Sequence, residues 1–105
     1  MKTFYGGTFI NKETLDDAGI DYPIKLEYYK QINEDEINEK DKAKYGIVII
    51  QTEYINGNIN TKTKEIKYLT NDEIQEERIL NTFKESQVTP INSEEVINDL
   101  FKNIY

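Results

Sequence analysis

Carboxylates are the main groups in this chain with any reach into acid–base or ligand chemistry: 20 Asp and Glu stand against 13 Lys and Arg, with no His, no Cys and no Trp in 105 residues. Imidazole and thiol are the side chains that most often act as general base, nucleophile or transition-metal ligand near neutral pH. Their absence argues against catalysis. Glu76 and Glu77 are neighbours of the kind a paired-carboxylate enzyme uses, but a short chain has little room for a deep pocket lined by converging groups. Ser86 and Ser93 have no base to activate them. Gly6-Gly7 is followed by Thr8-Phe9 and not by Gly-Lys-Ser/Thr, so it is no phosphate loop. The acidic run Glu34, Asp35, Glu36, Glu39 and Asp41, interleaved with Lys40, Lys42 and Lys44, lacks the central Gly that a calcium loop needs for its sharp turn. No cofactor and no metal site is expected.

The remaining use of these acids is binding. A net charge of -7 disfavours a nucleic-acid backbone or an anionic membrane and favours a basic protein partner. Residues 71–99 hold eight acids against Arg78 and Lys84, a net -6 of that -7. Asp72, Glu73, Glu94 and Glu95 fall in expected first helical turns, where carboxylates favour the helix dipole and need no partner. Glu76, Glu77, Glu85 and Asp99 are left over, and they are the first candidate binding surface. The Glu34–Asp41 run is the second, a solvated loop or an acidic arm that wraps a basic groove. Tyr29 is the third, an outward ring beside inward Tyr28, because tyrosine buries a rigid ring while keeping a hydroxyl free to bond.

The elements that must position these residues follow from periodicity. Thr3–Ile10 is either one strand bent by its glycines or a short hairpin turning at Gly6-Gly7 that sets Phe4 opposite Phe9. Asn11 caps a helical turn that runs through Leu15 and stops at Gly19. Tyr22, Ile24, Leu26, Tyr28 and Ile32 share one parity, and Lys25, Glu27, Tyr29 and Gln31 the other, which is a half-buried strand. Tyr45–Ile55 is the strongest strand, and Asn56-Gly57 ends it in a type I′ turn. A two-residue loop pairs Ile55 with Asn58, hence Val48 with Glu65, Ile47 with Ile66 and Tyr45 with Tyr68, and puts Tyr45, Ile47, Ile49, Ile66 and Tyr68 on the buried face. Thr70 and Glu73 form a capping box for a weakly amphipathic helix at the edge of the fold, with stripe Ile79, Leu80, Phe83 and an end at Thr89-Pro90. Asn92 or Ser93 caps a last helix whose Val96, Ile97, Leu100, Phe101 and Ile104 form the clearer core stripe. The expected fold is a single α+β domain over 1–105, an antiparallel sheet of three to five strands with two C-terminal helices on one face. No apolar stretch approaches a spanning helix and no apolar leader region follows Met1–Gly7, so a cytoplasmic protein is expected.

Tyr45-Gly46-Ile47, Thr89-Pro90-Ile91 and Glu94-Glu95-Val96-Ile97-Asn98-Asp99 resemble the pattern of a family of short proteins of unassigned function from clostridia and related Gram-positive bacteria. That resemblance implies no catalytic residue. In size, charge and composition the chain is also similar to small acidic inhibitors of phages and mobile elements, anti-CRISPR proteins among them. The expected function is therefore a non-enzymatic inhibitor of a basic nucleic-acid-binding protein, presenting carboxylates where phosphates would lie. The other class is a sporulation- or transcription-associated adaptor that binds a regulator through an apolar sheet face, or dimerises through it.

Overall fold

A computed structural model describes residues 1–33 and 43–104. Four antiparallel strands lie in the order of the chain, β1 (Lys2–Ile10), β2 (Ile24–Ile32), β3 (Tyr45–Ile55) and β4 (Asn58–Thr70). Two helices follow, α2 (Glu73–Glu85) and α3 (Ser93–Ile104), and a short α1 (Lys12–Leu15) sits between β1 and β2. The architecture is α+β, an open sheet with both long helices after it. No helix among the described residues is long and apolar enough to cross a membrane.

β1 is one bent strand. Phe4 pairs with Tyr29 and Gly6 with Tyr28, so Tyr5 is the extra residue of a bulge, and Phe9 faces Lys25. The Asn11 side chain accepts from Thr14 N, and Gly19 at φ 75° stops the turn that follows α1. In the β3–β4 hairpin Asn56 and Gly57 both take positive φ (49° and 82°), as a type I′ turn requires. The register Ile55–Asn58, Val48–Glu65 and Ile47–Ile66 is observed.

One pair departs from it. Tyr45 faces Thr70 and not Tyr68, because β4 carries two extra residues opposite Gly46. The carbonyls of Ile66 and Lys67 close onto Gly46 where a Cβ would stand. Asn33 holds this bulge, donating from Nδ2 to Lys67 O (2.7 Å) and Ala43 O (3.0 Å). Tyr68 is thereby turned outward and exposed, whereas Leu69 packs on the core and Thr70 is buried.

The register sorts side chains into two faces. Tyr28 and Ile49 share a row, as do Leu26 with Gln51 and Ile24 with Glu53, all on the face that α2 covers with Ile79, Leu80 and Phe83. α2 is not peripheral: it touches all four strands. Its stripe is narrow but centred, and the Tyr28 hydroxyl, its pKa raised by burial, donates to Val88 O (2.8 Å) just beyond the helix. α3 has the more regular stripe, but of its described apolar side chains only Ile97 is buried, with Val96, Leu100 and Phe101 half-buried.

Both ends of α2 differ from expectation. Asp72 is the N-cap, accepting from Ile74 N (3.0 Å) and Gln75 N (3.4 Å), while Thr70 Oγ accepts from Asp72 N and donates to Gln75 Oε1. The bulge that pairs Thr70 with Tyr45 keeps Thr70 in the strand, so the cap moves two residues on. The helix stops at Glu85, before Thr89-Pro90, in a Schellman turn: Val88 N donates to Phe83 O (2.9 Å) and Gln87 takes φ 52°. Asn92 is the N-cap of α3, its carbonyl accepting from Val96 N, and Ser93 Oγ turns to Pro90 O (2.8 Å).

Candidate functional site: the open sheet face

The sequence-derived acidic surface does not assemble. Glu76 lies on the sheet side of α2 and is fully buried, so it presents nothing to a partner. Neither of its carboxylate oxygens has a hydrogen-bond partner among the described residues. Burial pushes its pKa up to about 7, against a smaller opposing pull from Lys30 and with added repulsion from Glu73 and Glu77. Glu77 is exposed but ion-paired to Lys30 (3.1 Å), which Glu73 also holds. Those two carboxylates keep the Lys30 ammonium above its usual range. Glu85 stands at the far end of α2 and Asp99 on α3, both exposed. Glu34, Asp35, Glu36, Glu39 and Asp41 lie outside the described residues.

Tyr29 is placed where its parity put it, facing away from the helices, and it does not stand alone. Phe4, Tyr29, Val48 and Glu65 form one row across the sheet, Gly7, Glu27, Ile50 and Thr63 the next, and Phe9, Lys25, Thr52 and Thr61 a third. Tyr54 and Ile59 close the hairpin end. Phe4 meets the Tyr29 ring edge-on at 5.5 Å between centroids, and Phe9 lies 6.3 Å from Tyr54. Phe4 and Phe9 remain 57% and 60% exposed, so these contacts leave most of each ring bare. Between them Gly7 runs so near β2 that a Cβ would stand 2.7 Å from Leu26 O, which keeps a shallow slot open between the two rings.

The polar groups of this face are tied to one another. Tyr29 Oη donates to Glu27 Oε2 (3.0 Å), which raises the phenol pKa, and Lys2 Nζ lies 5.1 Å from the Tyr29 ring centroid. Lys25 pairs with Glu27 (3.6 Å), and Gln31 donates to Glu65 (3.2 Å). Across these rows Lys2 and Lys25 balance Glu27 and Glu65 on an acidic molecule.

The model of a family of unknown function, DUF6514, matches residues 8–103. The chain belongs to that family. The DUF6514 match takes in β2 to β4, α2 and most of α3, but begins after the β1 bulge and leaves out Phe4. No curated protein and no solved structure matches the chain.

Sequence reasoning singled out Tyr29 but missed Phe4, Phe9, Val48 and Ile50 as its companions. A signal was present: Ile47-Val48-Ile49-Ile50 is apolar on both parities, so the strand is apolar on both faces. Phe4 and Phe9 needed the pairing of β1 to be known before either could be assigned a face.

Proposed function

We propose that this protein is a non-enzymatic protein-binding module whose working surface is the open sheet face and whose partner is a basic protein. The observation that carries the reading is exposed Phe4 and Phe9 with half-buried Tyr29, Ile50 and Tyr54 beside them, on one side of a sheet whose other side is covered by α2. Rigid aromatic rings in an internally bonded polar surround are what an interface core is made of. The charge decides between occupants: a net -7 repels a second copy and steers in a basic protein, which docks on an apolar patch of its own. This is the adaptor-type reading, with a cytoplasmic bacterial regulator or nucleic-acid-handling effector as partner. The phosphate-mimic, anti-CRISPR-like form has less support, because Glu76 is inside the fold and Glu77 already has a cation.

Photo-crosslinking residues placed singly at Phe9, Tyr54, Glu85 and Asp99 in the native host test the reading. Crosslinks to a basic protein from the Phe9 and Tyr54 positions are expected. With that protein purified, Phe4→Ser/Phe9→Ser should weaken binding by about a hundredfold with little salt dependence. Crosslinks from Glu85 and Asp99 alone, with affinity falling steeply in salt, would replace this reading with phosphate mimicry. Crosslinks to a second copy would make the face a homodimer interface.

A further inference from the structure

On the covered face, at the hairpin end, the connection between α2 and α3 arches over the sheet and leaves a cleft of about 440 Å³. Its floor is polar, and its sides mix apolar residues with Ser86, Gln87, Thr89 and Asn92 of that connection. Glu53, only 2% exposed, is held by Tyr22 Oη (2.9 Å) on Oε2 and by Asn60 Nδ2 (2.8 Å) on Oε1. Lys62 Nζ stands off at 3.5 Å from Oε1, on a side chain 46% exposed. Burial acts to raise the Glu53 pKa, but the two hydrogen bonds and the Lys62 charge outweigh it and keep the carboxyl below the usual range. The group is therefore a fixed anion. A carboxylate offers about four acceptor positions, and these three donors leave one unfilled.

The walls include Ile10, Leu15, Ile20 and Ile91. Ile91 is 81% exposed, above any other large apolar side chain described, although it borders a cleft floored by a buried charge. At the same rim Gln87 holds the left-handed backbone that glycine adopts more easily. A cleft of this volume, with apolar side chains among its walls and a buried, anchored carboxylate on its floor, has the features of a small-molecule site.

We propose that this cleft binds a small organic cation, an amine with a compact apolar body, whose ammonium takes the place of Lys62 at Glu53 and whose hydrocarbon covers Ile91. The charge of the whole chain favours a cation over an anion here. A loosely held, half-exposed lysine is a weak competitor, since exposed ion pairs contribute little. The site lies on the opposite face from the partner surface proposed above, so the two stand or fall separately.

The test is titration of the isotope-labelled protein with phenethylamine at fixed ionic strength, followed by amide chemical shifts, with phenethyl alcohol as the neutral isostere. Saturable shifts at Glu53, Lys62 and Ile91 are expected, with the alcohol binding about tenfold more weakly. Glu53→Gln should lose about the same factor, whereas Lys62→Met, which removes the internal competitor, should bind the amine more tightly. If Glu53→Gln gives no folded spectrum, Lys62→Met and the rim variant Ile91→Ser decide, the latter expected to weaken binding with the spectrum intact. No saturable shift, equal binding of amine and alcohol, or unchanged affinity in Lys62→Met would overturn the proposal.

Discussion

On the face under α2, Tyr28, Leu26, Ile47 and Ile49 are sealed against Ile79, Leu80 and Phe83; on the other, Phe4, Phe9 and Ile59 are as apolar and stay exposed, with Tyr54 half-buried beside them. The same strands supply both faces, so hydrophobic content does not decide which is buried. What decides it is that α2 begins three residues after β4 ends and crosses every strand on one side. The first face holds the protein together, and the second is free to do something else. Val48 belongs to both descriptions: it lies on the open face yet is 3% exposed, in one row with Tyr29. The covered face has its own contrast. Glu53 is buried with three donors, whereas Glu76 is buried with no hydrogen-bond partner among the described residues, so one carboxylate is a paired anion and the other carries a desolvation cost.

Truncation should expose the difference most sharply under α2. Phe83→Ala removes a fully buried ring that lies 6.3 Å from the Tyr28 ring, and should cost about 3–5 kcal/mol in urea unfolding. Leu100→Ala on the half-buried α3 stripe should cost about 1–2 kcal/mol. Equal losses would mean that α3 seals the sheet as much as α2 does.

Proton linkage gives the next largest effect. The buried Glu76 carboxyl keeps its proton to about pH 7, whereas the unfolded group releases it near the ordinary value of 4.5. Stability should therefore fall as pH rises from 4.5 through 7, by about 3 kcal/mol in full. Glu53, Glu73 and Glu94 have lowered values and act oppositely, below pH 4.5, so unfolding at pH 5 to 8 reports Glu76. Glu76→Gln should abolish that slope. A slope that survives the substitution would assign it to another group.

The smallest effect belongs to the open face. Phe9→Ser should shift stability by no more than about 0.5 kcal/mol, the range of surface substitutions. A loss as large as that of Leu100→Ala, measured by the same unfolding, would make the ring part of the fold and not a free contact.

Much of the fold is legible from local chemistry. Asn56-Gly57 determines the hairpin register because only residues tolerant of positive φ complete that turn, and the β2 alternation separates Tyr28 from Tyr29 correctly. What is lost depends on long-range approach. The Tyr45–Thr70 pairing arises where Asn33 and two carbonyls converge around Gly46, and nothing local to 66–70 announces two extra residues. That shift moves the α2 cap from Thr70 to Asp72. The candidate site fared worse, because charge was read without burial. Glu76 is three residues before Ile79 and seven before Phe83, squarely on the stripe that packs inward, and helical spacing alone could have removed it from the acidic surface. Tyr29 was found by parity, but its neighbours in the row come from other strands.

The strand order has a bearing on how the molecule is made. Each strand pairs with the one synthesised just before it, so the sheet assembles from short-range contacts and should form quickly. The cover comes later: at the moment β4 pairs, both faces are bare, and only the synthesis of α2 ends that symmetry. A chain in which β4 has paired but α2 has not yet docked exposes a two-sided apolar ribbon, a target for chaperones and for other unfolded chains.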